Sequence, residues 1–116
     1  MRTVQITIEQ STTSKTVSCI KTESYLDRML GLMRVRQLAD QQVLWINPCN
    51  SVHTFGMKAA LDLIYLDKTN TVKKLVEGIK PARGSLCWRA HSVLEANGGF
   101  ISQLSIKEGD KVTCSE

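Results

Sequence analysis

Aromatic residues make up only 5% of this chain, and it has two prolines and seven glycines. So little proline and glycine excludes collagen-like, proline-rich and low-complexity architectures. With few aromatics, the loose basic stretch Lys73, Lys74, Lys80, Arg83 and Arg89 has only Trp88 among it. Nucleic-acid binders pair clustered cations with stacking rings, so no nucleic-acid partner is expected. No run approaches the roughly 18 to 20 apolar residues that a spanning helix needs. No amphipathic basic helix suggests a membrane surface either. None of the four cysteines forms a Cys-x-x-Cys pair, so the simplest redox and zinc-ribbon motifs are absent. Neither a Gly-x-Gly-x-x-Gly nor a Walker motif is present; Gly98, Gly99 and Gly109 read as turn residues. The opening Met1 to Ile8 lacks the continuous apolar run of a secretory signal, which predicts a cytoplasmic protein.

What is there suits one globular domain spanning 1–116. That length can bury a core without disulfides or a metal. The net charge of +4 favours solubility, and a monomer is expected.

Val4, Ile6 and Ile8 alternate with Thr3, Gln5 and Thr7, the pattern of a half-buried strand. Thr16 to Lys21 is its antiparallel partner across the polar tract Ser11 to Ser14. Leu26, Met29, Leu30 and Met33 fall on one helical face, with Thr22 or Ser24 as cap. Strands are then predicted at 43–46, 52–57, 61–66 and 71–76, the last two joined by the turn Asp67 to Asn70. A further strand is predicted at 91–96, a short helix carrying Phe100, Ile101 and Leu104, and a closing strand at 111–114. The expected class is α+β and β-rich: a compact barrel-like or sandwich-like domain of about seven short strands with one or two short helices.

Several residues recur in a known order. They are Arg28-x-x-Gly31-Leu32-Met33, His53-Thr54-Phe55-x-Met57, Leu61-Asp62, Leu66-Asp67, Val72, Pro81, Ala90, Val93-Leu94-Glu95, Gly99 and Gly109-Asp110-x-Val112. The run resembles the bacterial and archaeal family called domain of unknown function 192, over roughly residues 23–112. The resemblance implies a β-rich barrel-like domain and no established reaction. Cys49 and Cys87 look like a feature of one branch, which implies a disulfide under oxidising conditions or two packed thiols. The chain departs from the pattern at Gly56, where many members have an aromatic, and at Ala60, where many have proline.

Four chemistries are open to these residues. His53, Met57, Asp62 and Glu95 are the polar or soft members of the matched motifs and form a candidate ligand-binding set. Asp62 has a structural alternative: it can accept backbone N–H bonds that pin a turn, or pair with Lys58 or Arg28. Cys49-x-x-x-His53 and Cys87-x-x-x-His91 repeat one spacing and could supply four zinc ligands, although that spacing is unspecific. Cys49 could act as a nucleophile with His53 as base, oriented by Asp62 or Glu95. The leading expectation is a non-enzymatic accessory domain that binds a small ligand or a protein partner near Cys49 to Met57, with no cofactor. The alternatives are a metalloprotein or hydrolase-like enzyme using His53, and a purely structural interaction module.

Overall fold

A computed structural model describes residues 2–22, 38–54 and 59–115. The helix expected around Leu26 to Met33, and Met57 of the candidate ligand set, lie outside the described residues. The strands are β1 (Arg2–Glu9), β2 (Ser14–Lys21), β3 (Gln42–Ile46), β4 (Ser51–His53), β5 (Leu61–Leu66), β6 (Val72–Ile79), β7 (Gly84–Leu86), β8 (Ser92–Asn97) and β9 (Lys111–Ser115), with one short helix, α1 (Phe100–Leu104). The class is α+β and β-rich. Among the described residues no helix is long and apolar enough to cross a membrane.

Seven strands form one sheet in the order β6-β5-β8-β3-β2-β1-β9, and β4 and β7 pair as a separate ribbon. Among the described residues there are nine strands, in keeping with the expected β-rich domain of about seven. The added β7 is only three residues long, begins with glycine and has too few positions to display a period. The other neighbours are antiparallel, but β2 and β3 run parallel. The sheet curls until its edges meet at one end. Thr71 bridges Lys111, Val72 N–H donates to Asp110 O at 2.8 Å, and Val112 N–H donates to Asn70 O at 2.9 Å. The result is a half-barrel.

Each face of the sheet has its own core. The inner face collects Val4, Ile6 and Ile8 of β1 with Val43, Trp45, Ile64, Leu66, Leu94 and Ala96, and α1 adds Phe100, Ile101 and Leu104. The outer face of the central strands carries Leu44, Ile46, Leu61, Leu63, Tyr65 and Val93, and the ribbon closes over it with Val52. Covering both faces makes β5 buried at all six positions, which is why its sequence runs apolar without alternating.

Candidate functional site

The pleat of β5 and β8 decides which candidate residues can meet. Asp62 lies opposite Ala96 and Glu95 opposite Leu63. Ala96 belongs to the inner core and Leu63 to the outer one. Asp62 and Glu95 therefore point to opposite faces and line no common cavity, although they stand on paired strands.

Asp62 is fully buried, and both its oxygens accept backbone hydrogen bonds. Oδ1 takes the Gly78 N–H at 2.8 Å and Oδ2 takes the Ile101 N–H at 2.8 Å. Between Leu61 and Leu63 the partner on β6 moves from Ile79 to Val76, so one residue bulges. Gly78 sits there at φ 63°, a conformation that glycine adopts without strain. Ile101 N–H is one of the donors left over at the start of α1, whose cap residue Gly99 has no side chain to offer. Asp62 thus caps a helix and a bulge from the neighbouring strand.

Glu95 is equally buried but unsatisfied. Among the described residues its Oε1 has no hydrogen-bond partner, and burial pushes the carboxyl up to about 7. Beside it in the outer core is Tyr65, whose hydroxyl donates to Ser85 Oγ at 2.9 Å. Burial raises the Tyr65 hydroxyl against the lowering effect of the Ser85 bond. Cys49, Cys87 and Glu95 add to the rise, so these groups lie within electrostatic reach of one ring. Tyr65 and Ser85 were not among the residues singled out from the sequence. A tyrosine inside an apolar strand was the available signal, since a buried hydroxyl needs a partner; nothing in the sequence identified Ser85.

The ribbon brings Cys49 and Cys87 to the same core edge, both partly exposed. Cys87 N–H donates to Asn50 O and Cys49 N–H to His91 O, each at 2.9 Å. Among the described residues no cysteine is in a disulfide; the Cys49 thiol donates to Ser51 O at 3.1 Å. His53 and His91 are exposed. Two open depressions flank the ribbon. One, of about 440 Å³, is lined by Pro48, Cys49, Asn50, Ser51, Ala90 and His91. The other, of about 420 Å³, lies along Ser51 to His53 and Gly84 to Leu86. Among the described residues no three His, Cys, Asp or Glu side chains converge as metal ligands. Cys49, His53, Cys87 and His91 are all described, so the four-ligand zinc arrangement is not assembled. The ribbon pairs His53 with Gly84, which separates it from the Cys87 end of β7.

Two solved structures share this fold. One is a protein of unknown function from Novosphingobium aromaticivorans DSM 12444, at TM-score 0.83 and 22% identity, covering 96% of this chain and 84% of that one. The other is a candidate transcription regulator from Sinorhizobium meliloti 1021, at TM-score 0.83 and 17% identity, covering 97% of this chain and 94% of that one. No curated protein sequence matches the chain. The family pattern of domain of unknown function 192 (uncharacterized ACR) spans residues 5–114, nearly every strand described above, and the chain belongs to that family.

Proposed function

We propose that this domain is a non-enzymatic binding module for a small organic molecule, received on the ribbon side of the sheet where Cys49, Cys87, Tyr65 and Glu95 come together. The observation that carries the reading is the Glu95 Oε1, a buried acceptor beside an apolar cluster with no partner among the described residues. Such a group is expensive to keep unless something satisfies it, and nearly all buried polar atoms in folded proteins are satisfied. A ligand with an apolar body and one N–H or O–H donor would supply the missing bond. It would also reverse part of the penalty that raises the carboxyl. The depression lined by Pro48 to Ser51, Ala90 and His91 opens beside Cys49, and His53 borders the second depression; a ligand would enter from this side. Asp62 has no part in this site, because both its oxygens are engaged on the other face. A reducing compartment such as the cytoplasm suits cysteines that are not bridged.

The test is a thermal-shift screen at pH 7 of small amines, amidines and alcohols bearing a short chain or ring, against wild type and Glu95→Gln. The reading predicts that at least one compound raises the wild-type Tm in a concentration-dependent way and loses most of that effect in the variant. If no compound shifts wild type, or the variant responds equally, the reading fails.

A further inference from the structure

The turn that follows β7 exposes an indole. Trp88 is 85% exposed at its tip, and Ala90 N–H closes the turn on Cys87 O at 3.0 Å. Leu86, two residues earlier, is 53% exposed; among the described residues these two are the large hydrophobics left in solvent. Large exposed rings beside an exposed aliphatic side chain mark interaction surfaces more often than plain surface.

The backbone beside them is also open. Cys87 N–H bonds Asn50 O and Thr54 N–H bonds Arg83 O, and Val52 pairs with Ser85 between these two links. In an antiparallel pair the bonding positions alternate, so Gly84 and Leu86 turn their N–H and C=O groups away from β4. On that outer edge Leu86 O accepts the Lys74 ammonium at 2.8 Å, and no further strand pairs there among the described residues. A Cβ placed on Gly84 would meet nothing within 4 Å.

The surroundings are positive. Residues 72–91 contain Lys73, Lys74, Lys80, Arg83 and Arg89 against one carboxylate, Glu77. Arg83 and Arg89 are exposed and directly flank β7 and Trp88. Lys73 is partly engaged by Asp67 at 3.5 Å, whereas Lys74 is held at the β7 edge.

We propose that the β7 edge and the Trp88 turn are a docking surface for an extended acidic segment of a partner protein. The segment would lie along Gly84 to Leu86, set alternate apolar side chains on Leu86 and Trp88, and aim its carboxylates at Arg83, Arg89 and Lys74. Strand addition of this kind takes affinity from main-chain bonds and selectivity from alternate side chains. A single-stranded nucleic acid fits less well, because such strands stack successive bases on several rings and this surface has one. The surface shares the β4–β7 ribbon with the proposed Glu95 site, but it rests on Trp88, the β7 edge and the flanking cations and does not require Glu95 to bind anything.

The test uses fluorescein-labelled acetylated hexapeptides alternating glutamate with valine, the same design with lysine, and labelled oligothymidylate, followed by anisotropy. In wild type, intrinsic fluorescence adds a second readout, because Trp45 is only 2% exposed and Trp88 is the indole open to solvent. The proposal predicts saturable binding of the glutamate peptide, a blue shift of the Trp88 emission, and a Kd that rises with salt. It predicts at least tenfold weaker binding by Trp88→Ala and by the double variant Arg83→Glu/Arg89→Glu, with the Tm of both near wild type. Absence of binding by the glutamate peptide overturns it. So does equal binding by the lysine peptide, tighter binding of oligothymidylate, or wild-type affinity in both variants.

Discussion

Cys19 sits on β2 with no solvent exposure, and burial pushes its thiol up to about 12. Nearby Cys114 adds to that rise, while Lys21 and a backbone hydrogen bond from Trp45 oppose it. Thiol chemistry runs through the thiolate, so Cys19 is inert at neutral pH. Cys49, Cys87 and Cys114 are all partly exposed. An alkylating reagent followed by mass spectrometry at pH 7.5 should label these three in the native protein and reach Cys19 only on unfolding. Early labelling of Cys19 would mean that the inner core is looser than described. Asp67 shows the opposite balance at the surface. Desolvation is the largest single influence and raises its carboxyl, but the Thr69 hydroxyl, the Thr71 and Thr69 N–H groups and Lys73 together outweigh it and hold the group at about 2. Its folded value is depressed, so its contribution is present above about 3.8 and is lost as pH falls through about 2. The turn Asp67 to Asn70 read from the sequence is the structural basis of that balance.

At the scale of elements, Asp62 joins three of them. It stands on β5, fills the bulge of β6 and caps α1. Replacing it by alanine strands the buried Ile101 N–H and the partly buried Gly78 N–H; a buried donor left without a partner costs about 1–3 kcal/mol, and a partly solvated one less. Asp62→Ala should therefore destabilise the domain by roughly 1 to 4 kcal/mol in urea titrations, while Asp62→Asn, which keeps one acceptor oxygen, should lose less. A loss below about 1 kcal/mol for the alanine variant would contradict the capping role. The sequence signalled that a carboxylate inside Leu61 to Leu66 had to be bonded, and backbone donors were one of its two structural readings. It did not signal which donors. Gly78 and Ile101 are 16 and 39 residues away, brought close only by the bulge and by the placement of α1.

For the whole molecule, legibility followed periodicity. β1, β5, β8 and β9 fell within a residue or so of their predicted ranges, because alternation or a sustained apolar run marks them and turn residues bound them. β7 escaped because three residues carry no period. The parallel pairing of β2 with β3 was not drawn from the sequence, although the helix expected between them is the kind of crossover a parallel pair needs. The site was legible as residue types and not as geometry. In β5 and β8 both faces are buried, so hydrophobicity does not reveal which way a given residue points. Asp62 and Glu95, two carboxylates of similar apolar context, consequently took opposite sides and opposite roles: one with both oxygens bonded, the other with its Oε1 left without a partner among the described residues.

The buried Glu95 carboxyl has a consequence for the stability of the whole domain. Glu95 is raised in the folded state from 4.5 to about 7. Below pH 4.5 both states hold the proton and the penalty for burying the ionised form is absent. Between 4.5 and 7 the unfolded chain ionises while the folded one does not, so stability falls as pH rises. Above 7 the full penalty applies, roughly 3 kcal/mol from the size of the shift. Glutamine does not ionise. The most direct measurement is urea unfolding of wild type and Glu95→Gln at half-unit steps from pH 4 to pH 8. The stability difference should grow in favour of the variant by roughly 3 kcal/mol across the window from 4.5 to 7 and then level off. A difference that stays constant over that range would mean that Glu95 is satisfied in the folded protein, and the binding site built on it would have no foundation.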